Sequence, residues 1–184
     1  MHTLCNFIDV EKCEEADYLK KDYYCYIGRI SHEKGIKTLI AAANRLPHKL
    51  VIIGKGPLDA EMKKLAGPNV EFAGFKQWNE IKRIVGQARF CVIPSECYEN
   101  NPLSVIESQC LGTPVLGAQI GGIPELIQEG CNGLHFRSRD TDDLTAKIQA
   151  MYDAPFDYPS IALEAKKRYN SETYYKQLIQ LYNL

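Results

Sequence analysis

Tyr23-Tyr24-Cys25-Tyr26-Ile27-Gly28-Arg29-Ile30-Ser31-His32-Glu33-Lys34-Gly35-Ile36 sets the fold class. Aromatic and β-branched residues dominate 23–30 and predict a strand whose nearly unbroken apolar character suits cover on both faces. After Gly35 the period changes. Ile36, Leu39, Ile40, Ala43 and Leu46 fall on one side of a 3.6-residue repeat, the stripe of an amphipathic helix. The same alternation recurs along the chain. Strands are predicted at 50–54, 70–73, 90–94, 114–116 and 133–136, and helices at 58–65, 78–87, 102–111, 123–128 and 140–151. Strand and helix in strict alternation predict an α/β, Rossmann-like open parallel sheet of about six strands with helices on both faces.

Composition bounds what such a domain can do. The chain has 184 residues, 45% hydrophobic and 24% charged, which fits one globular domain with a substantial core. Its formal net charge of -1 provides no broad positive field, so nucleic acid is not an expected partner. No apolar run approaches the roughly 20 residues of a membrane-spanning helix. The N-terminus lacks the basic and apolar regions of a secretory signal, and a cytoplasmic location is expected. Seven cysteines without a CxxC pair, and histidines never four apart, indicate buried apolar thiols and no metal site. Residues 1–22 read as a linker or interdomain lead-in, 23–155 as the Rossmann-like domain, and 156–184 as a tyrosine-rich helical tail. That tail either packs on the sheet or docks on a domain outside this chain.

Three loops follow predicted strands and carry candidate chemistry. In 28–35, Arg29 and Lys34 flank a helix start at the carboxyl end of the first strand, where unpaired N–H groups and the helix dipole favour phosphate. A planar guanidinium fork and a mobile ammonium together suit a diphosphate, although two solvated charges in a turn would have the same sequence. Gly54-Lys55-Gly56-Pro57 is only a fragment of a dinucleotide fingerprint. Gly56 and Pro57 read as a tight turn and the first residue of the second helix, with Gly56 open to close ligand approach. The third loop, 94–102, contains Glu99 and then Asn101-Pro102, read as N-cap and first helical residue. Glu107 falls on the side of that helix shared by Leu103, Ile106, Cys110 and Leu111. A carboxylate directed at an apolar face requires hydroxyl or amide donors, and ribose hydroxyls would match it. Asp140-Thr141-Asp142 imitates a metal-binding DxD but opens a helix, where Asp140 is a natural N-cap.

Taken in order, Gly28-Arg29, Lys34-Gly35, Val51-Ile52-Ile53-Gly54-Lys55-Gly56-Pro57, Pro94-Ser95, Glu99 with seven residues before Glu107, Gly112-Thr113-Pro114-Val115 and Gly121-Gly122-Ile123-Pro124-Glu125 form a series. From about Tyr24 to Asp153 it resembles the C-terminal, donor-binding domain of family 4 retaining glycosyltransferases, one half of a GT-B fold. The resemblance implies that the substrate is a nucleotide-diphosphate sugar, UDP- or GDP-linked, with no cofactor and no obligatory metal. By position, Arg29 and Lys34 would neutralise the diphosphate, and Glu99 would face the transferred sugar as the third catalytic residue. Gly28, Gly56, Asn101 and Leu103 would line the donor, Glu107 would hold the ribose, and Phe75, with Lys76, would wall the base.

Many members have Gly-Phe-Gly where this chain has Asn100-Asn101-Pro102, which leaves the sugar unnamed. The family's N-terminal acceptor domain is a further implied partner, as is peripheral contact of the whole enzyme with a membrane. The leading expectation is the donor half of a hexosyltransferase in polysaccharide or glycan synthesis, with little activity alone. A noncatalytic nucleotide-sugar-binding or scaffolding subunit is the alternative, and a nucleotide-sugar epimerase of related fold ranks below it.

Overall fold

The structure, a computed structural model, describes residues 4–13 and 18–182. Six parallel strands form one sheet in the order β3-β2-β1-β4-β5-β6. They are β1 (Tyr23–Ile27), β2 (Lys49–Ile53), β3 (Val70–Gly74), β4 (Cys91–Ile93), β5 (Val115–Ala118) and β6 (Gly133–Phe136). The helices between them are α1 (Ile36–Ala43), α2 (Asp59–Leu65), α3 (Trp78–Gln87), α4 (Leu103–Cys110) and α5 (Ile123–Leu126). After β6 come α6 (Thr141–Asp153), α7 (Tyr158–Tyr169) and α8 (Ser171–Tyr182).

Alternation along each strand divides the core into two layers, because neighbouring side chains leave a strand on opposite faces. Tyr24, Tyr26, Leu50, Ile52, Val92 and Leu116 join Ile36, Leu39, Ile40, Met62, Leu144 and Ile148, from α1, α2 and α6, on one face. Cys25, Val51, Ile53, Cys91, Ile93 and Val115 join Val85, Val105, Ile106, Ile123, Ala165 and Tyr169, from α3, α4, α5 and α7, on the other. The expected three-layer α/β architecture is therefore present. Some boundaries differ. The first strand stops at Ile27, since Gly28 and Ile30 turn away while their N–H groups still bond to Ile53 and Lys55 of the neighbouring segment. Pro57 precedes α2, whose N-cap is Leu58, so it is not the first helical residue.

The two end segments pack together. Ile8 N–H donates to the Tyr169 carbonyl at 3.0 Å, Phe7 lies 4.7 Å from Tyr174 ring to ring, and Cys13 is buried in the second layer. Glu14, Glu15, Ala16 and Asp17 of the acidic lead-in lie outside the described residues. Helix α7 packs on α4 through Ile161, Ala162, Ala165 and Tyr169, whereas α8 buries no residue and exposes Tyr175, Ile179 and Tyr182. No helix of the described residues is long and apolar enough to cross a membrane.

Candidate active site

Strand order determines where chemistry can gather. From β1 the chain moves outward to β2 and β3, and from β4 it moves the other way to β5 and β6, so the loops after β1 and β4 diverge. Divergence opens a crevice at the carboxyl ends of those two strands. Both halves of the candidate site meet there. Lys34 ends a 3-10 turn, His32–Lys34, after β1, and its ammonium lies 2.5 Å from Glu99 Oε1 in the loop after β4. Ser95 Oγ donates to the same oxygen at 2.8 Å. The pair is partly shielded, with 31% of the Lys34 side chain and 16% of the Glu99 side chain exposed. An ammonium has three protons and Glu99 accepts one, so Lys34 keeps donors for an anion. Arg29 is exposed on the approach to the same turn, where it and Lys34 help the Ser31 hydroxyl and the backbone N–H hold the Glu33 carboxyl below its usual range.

Glycines allow these loops to touch. Gly35 is left-handed at φ 66°, and a Cβ there would collide with the Pro94 carbonyl, so the β1 loop rests directly on the β4 loop. On the opposite side, Gly121 and Gly122 press on the backbone of Glu99 and Asn100, and Gly122 N–H donates to the Glu99 carbonyl at 2.7 Å. The Glu99 loop is braced from both flanks.

Other expected residues stand differently. Gly28 begins the β1 loop, and the Tyr26 hydroxyl bonds across it to the Arg29 carbonyl at 2.7 Å. Gly56 packs against the Ile30 carbonyl, so its missing side chain makes room for protein backbone. Asn101 is not the N-cap. Pro102 takes that position, and Asn101 Oδ1 instead accepts from Asn6 N–H at 2.9 Å while the Asn101 carbonyl accepts from Asn6 Nδ2 at 3.1 Å. Leu103 is exposed and leaves the apolar stripe of Ile106, Cys110 and Leu111. Phe75 is 66% exposed beyond β3, two strands from β1, and Lys76 pairs with Glu80. Asp140 caps α6 by accepting from Asp143 N–H at 2.9 Å, the structural reading of the DxD stretch. Among the described residues no group of three or more acidic, histidine or cysteine side chains could hold a metal ion. Sequence reasoning gave no role to Ser95 or Asn6, whose side chains contact Glu99 and Asn101. A cavity of about 460 Å³ lies elsewhere, between α7 and the turn before β6, and includes none of the expected site residues.

Glu107 is half-buried on α4 within electrostatic reach of Cys13 and Cys110, and among the described residues its carboxylate has no hydrogen bond. Burial raises its pKa above the usual carboxylate value. A carboxyl whose pKa rises on folding binds its proton more tightly in the native state, so stability falls as pH climbs from the ordinary value through the raised one. Glu107→Gln removes that dependence. The variant is expected to exceed the parent in stability at neutral pH and to lose the advantage below about pH 4. Urea melts at both pH values test this, and an equal difference at both would show that the charge is not the cause.

Comparison with known proteins agrees with this fold. Residues 8–175 match the family described as Glycosyl transferases group 1. Sulfoquinovosyl transferase SQD2 of Arabidopsis thaliana is 33% identical over 137 residues, covering 72% of this chain and 27% of that protein. Glycogen synthase of Mycobacterium tuberculosis is 30% identical over 157 residues, 80% of this chain and 38% of the relative. Among solved structures, Anabaena Alr3699/HepE in complex with UDP superposes with a TM-score of 0.82 at 19% identity, over 97% of this chain and 56% of that one. Sucrose-phosphate synthase from Thermosynechococcus elongatus gives 0.74 at 26% identity, over 98% and 49%. The chain thus spans 27% and 38% of those two curated relatives and about half of these structures. It belongs to the group 1 glycosyl transferases, with the fold of their C-terminal GT-B domain.

Proposed function

We propose that this chain is the donor-binding half of a hexosyltransferase that moves a sugar from a nucleotide diphosphate to an acceptor with retention, in polysaccharide or glycan synthesis at the cytoplasmic side of a membrane. The observation that carries the reading is the Lys34–Glu99 pair, set in the crevice between β1 and β4 with Arg29 at its mouth. Phosphate held there meets two cations, which neutralise the charge that grows on the departing nucleoside diphosphate. Glu99 offers its carboxylate to hydroxyls of the transferred sugar and to positive charge developing at the anomeric carbon. Departure and attack proceed on one face of the sugar, and no covalent step through Glu99 is invoked. Glu107 accepts from the ribose. Support for a nucleotide-sugar donor comes from HepE, whose structures contain UDP and UDP-glucose. The acceptor site belongs, in this reading, to the N-terminal domain of a GT-B enzyme, and full activity needs both domains.

Thermal denaturation of the chain with UDP, GDP, ADP and their sugar conjugates tests the reading. A ligand at about 100 times its Kd adds roughly 2.7 kcal/mol, which shifts a domain of this size by several degrees. One nucleotide is expected to give that shift in the parent and none in the Arg29→Ala, Lys34→Ala double variant. A shift retained in the double variant would place the nucleotide somewhere other than this crevice.

A further inference from the structure

Glu96 precedes the site residue Glu99 by one turn of loop and reads in sequence as an ordinary solvated acid. In the structure its side chain is only 13% exposed, and every polar group it has is engaged. Its N–H donates to the Glu33 carbonyl at 2.9 Å, next to Lys34. Its Oε1 accepts from Thr38 Oγ1 of α1 at 2.6 Å. Its carbonyl accepts from Arg139 Nη2 at 3.1 Å, and Arg139 Nε stands 3.6 Å from its Oε2. Three loops, after β1, β4 and β6, are therefore joined through one residue. The neighbouring contact strengthens the joint, since Ser138 Oγ donates to the Ser95 carbonyl at 3.1 Å and Ser95 Oγ donates to Glu99.

Arg139 adds an independent observation. At φ 66° it is the one non-glycine residue in the left-handed region among the described residues, at the third position of the 137–140 turn that Asp140 N–H closes on the Arg137 carbonyl at 3.1 Å. That turn carries the guanidinium to Glu96 while 71% of the Arg139 side chain stays exposed.

We infer that Glu96, clasped by Thr38 and Arg139, is a positioning residue that sets the separation of Lys34 and Glu99 for this transferase. The inference rests on the donor-site reading for its consequence in catalysis, but not for the geometry. In this role Glu96 acts through its protein neighbours and not on phosphate or sugar. Its side chain holds α1, directly after the Lys34 turn, through Thr38, and the loop after β6 through Arg139, while its backbone N–H meets the Glu33 carbonyl; a displacement of about 1 Å in a pair so placed is enough to impair a catalytic site. Arg139, from a loop outside the motif series, supplies the far end of the clasp.

Carbon-13 dimethylation of lysines in the folded chain gives a resonance for Lys34, assigned by its loss in Lys34→Arg, that reports the ion pair directly. In Glu96→Ala and in Arg139→Gly, the latter free of backbone strain, that resonance is expected to move towards those of exposed lysines while the other lysine signals keep their dispersion. Affinity for whichever of UDP or GDP binds should fall about tenfold or more. Glu96→Gln, which still accepts from Thr38 and keeps the carbonyl that Arg139 Nη2 bonds, loses only the charge facing Arg139 Nε and should lie between the parent and Glu96→Ala in both resonance and affinity. An unmoved Lys34 resonance in both Glu96→Ala and Arg139→Gly would overturn the inference. If Glu96→Ala does not fold, Arg139→Gly decides alone. Failure of the parent to bind either nucleotide would defeat the donor reading, while the Lys34 resonance would still settle the clasp.

Discussion

Gly35→Ala is expected to destabilise the chain by about 2–5 kcal/mol, lowering its melting temperature by roughly 5–20 °C. Two costs add. A left-handed conformation charges an alanine about 1–2 kcal/mol, and forcing atoms into a packed contact costs about 1–3 kcal/mol more. The contact is backbone to backbone, with the Pro94 carbonyl, so no flexible side chain can move aside. Gly130→Ala separates the terms. Gly130 is also left-handed at φ 77°, with nothing within 4 Å of an added Cβ, and should lose only the conformational part. Differential scanning calorimetry of the two variants measures the difference. Equal losses would mean that the β1 and β4 loops do not meet at Gly35, and with that the seat of Lys34 would be gone.

The second large effect concerns the charge balance of the crevice. Lys34→Ala should weaken binding of the nucleoside diphosphate about 10- to 100-fold through the lost charge-assisted hydrogen bond. A further loss is expected, because Glu99 then keeps its carboxylate beside the diphosphate without the cation 2.5 Å away that offset it. Adding Glu99→Gln removes that repulsion. The double variant Lys34→Ala, Glu99→Gln should therefore bind the nucleoside diphosphate more tightly than Lys34→Ala, although it has lost two site residues. Titration calorimetry with the nucleotide identified by thermal denaturation checks the order. A double variant weaker than the single one would show that Glu99 does not face the phosphates, and its assigned place beside the donor would have to be abandoned.

Much of the fold was legible because the signals are local. The β-rich run through Tyr24 and the helical stripe of Ile36, Leu39, Ile40 and Ala43 each specify their own backbone. Glu107 was legible for the same reason, since helical period alone puts it near Cys110. Local chemistry misled at Asn101, a good N-cap residue whose side chain is taken by Asn6, far away in the chain. The pairing of Lys34 with Glu99 could be anticipated only through strand order, which brings the loop after β1 beside the loop after β4. Glu96 could not be singled out at all. A charged loop residue reads as solvated, and what buries it comes from Glu33 and Thr38 after β1 and from Arg139 after β6, stretches that only the folded sheet brings together. The lead-in was similarly opaque, because isolated Ile8 and Cys13 have no period from which to infer a buried face.

The strand order also bears on how the domain assembles. On one side of the β1–β4 seam, β1, β2 and β3 are consecutive in the chain, and on the other β4, β5 and β6 are consecutive, so each half-sheet pairs strands that are separated by a single helical crossover. The seam is different: Cys25 must find Cys91 across the whole first half, a closure that carries the larger entropic cost and tends to come late. The crevice that gathers Lys34 and Glu99 sits on this seam. A donor held there as proposed would bridge the two half-sheets at their most costly junction, and its binding would fasten the fold as well as feed the site.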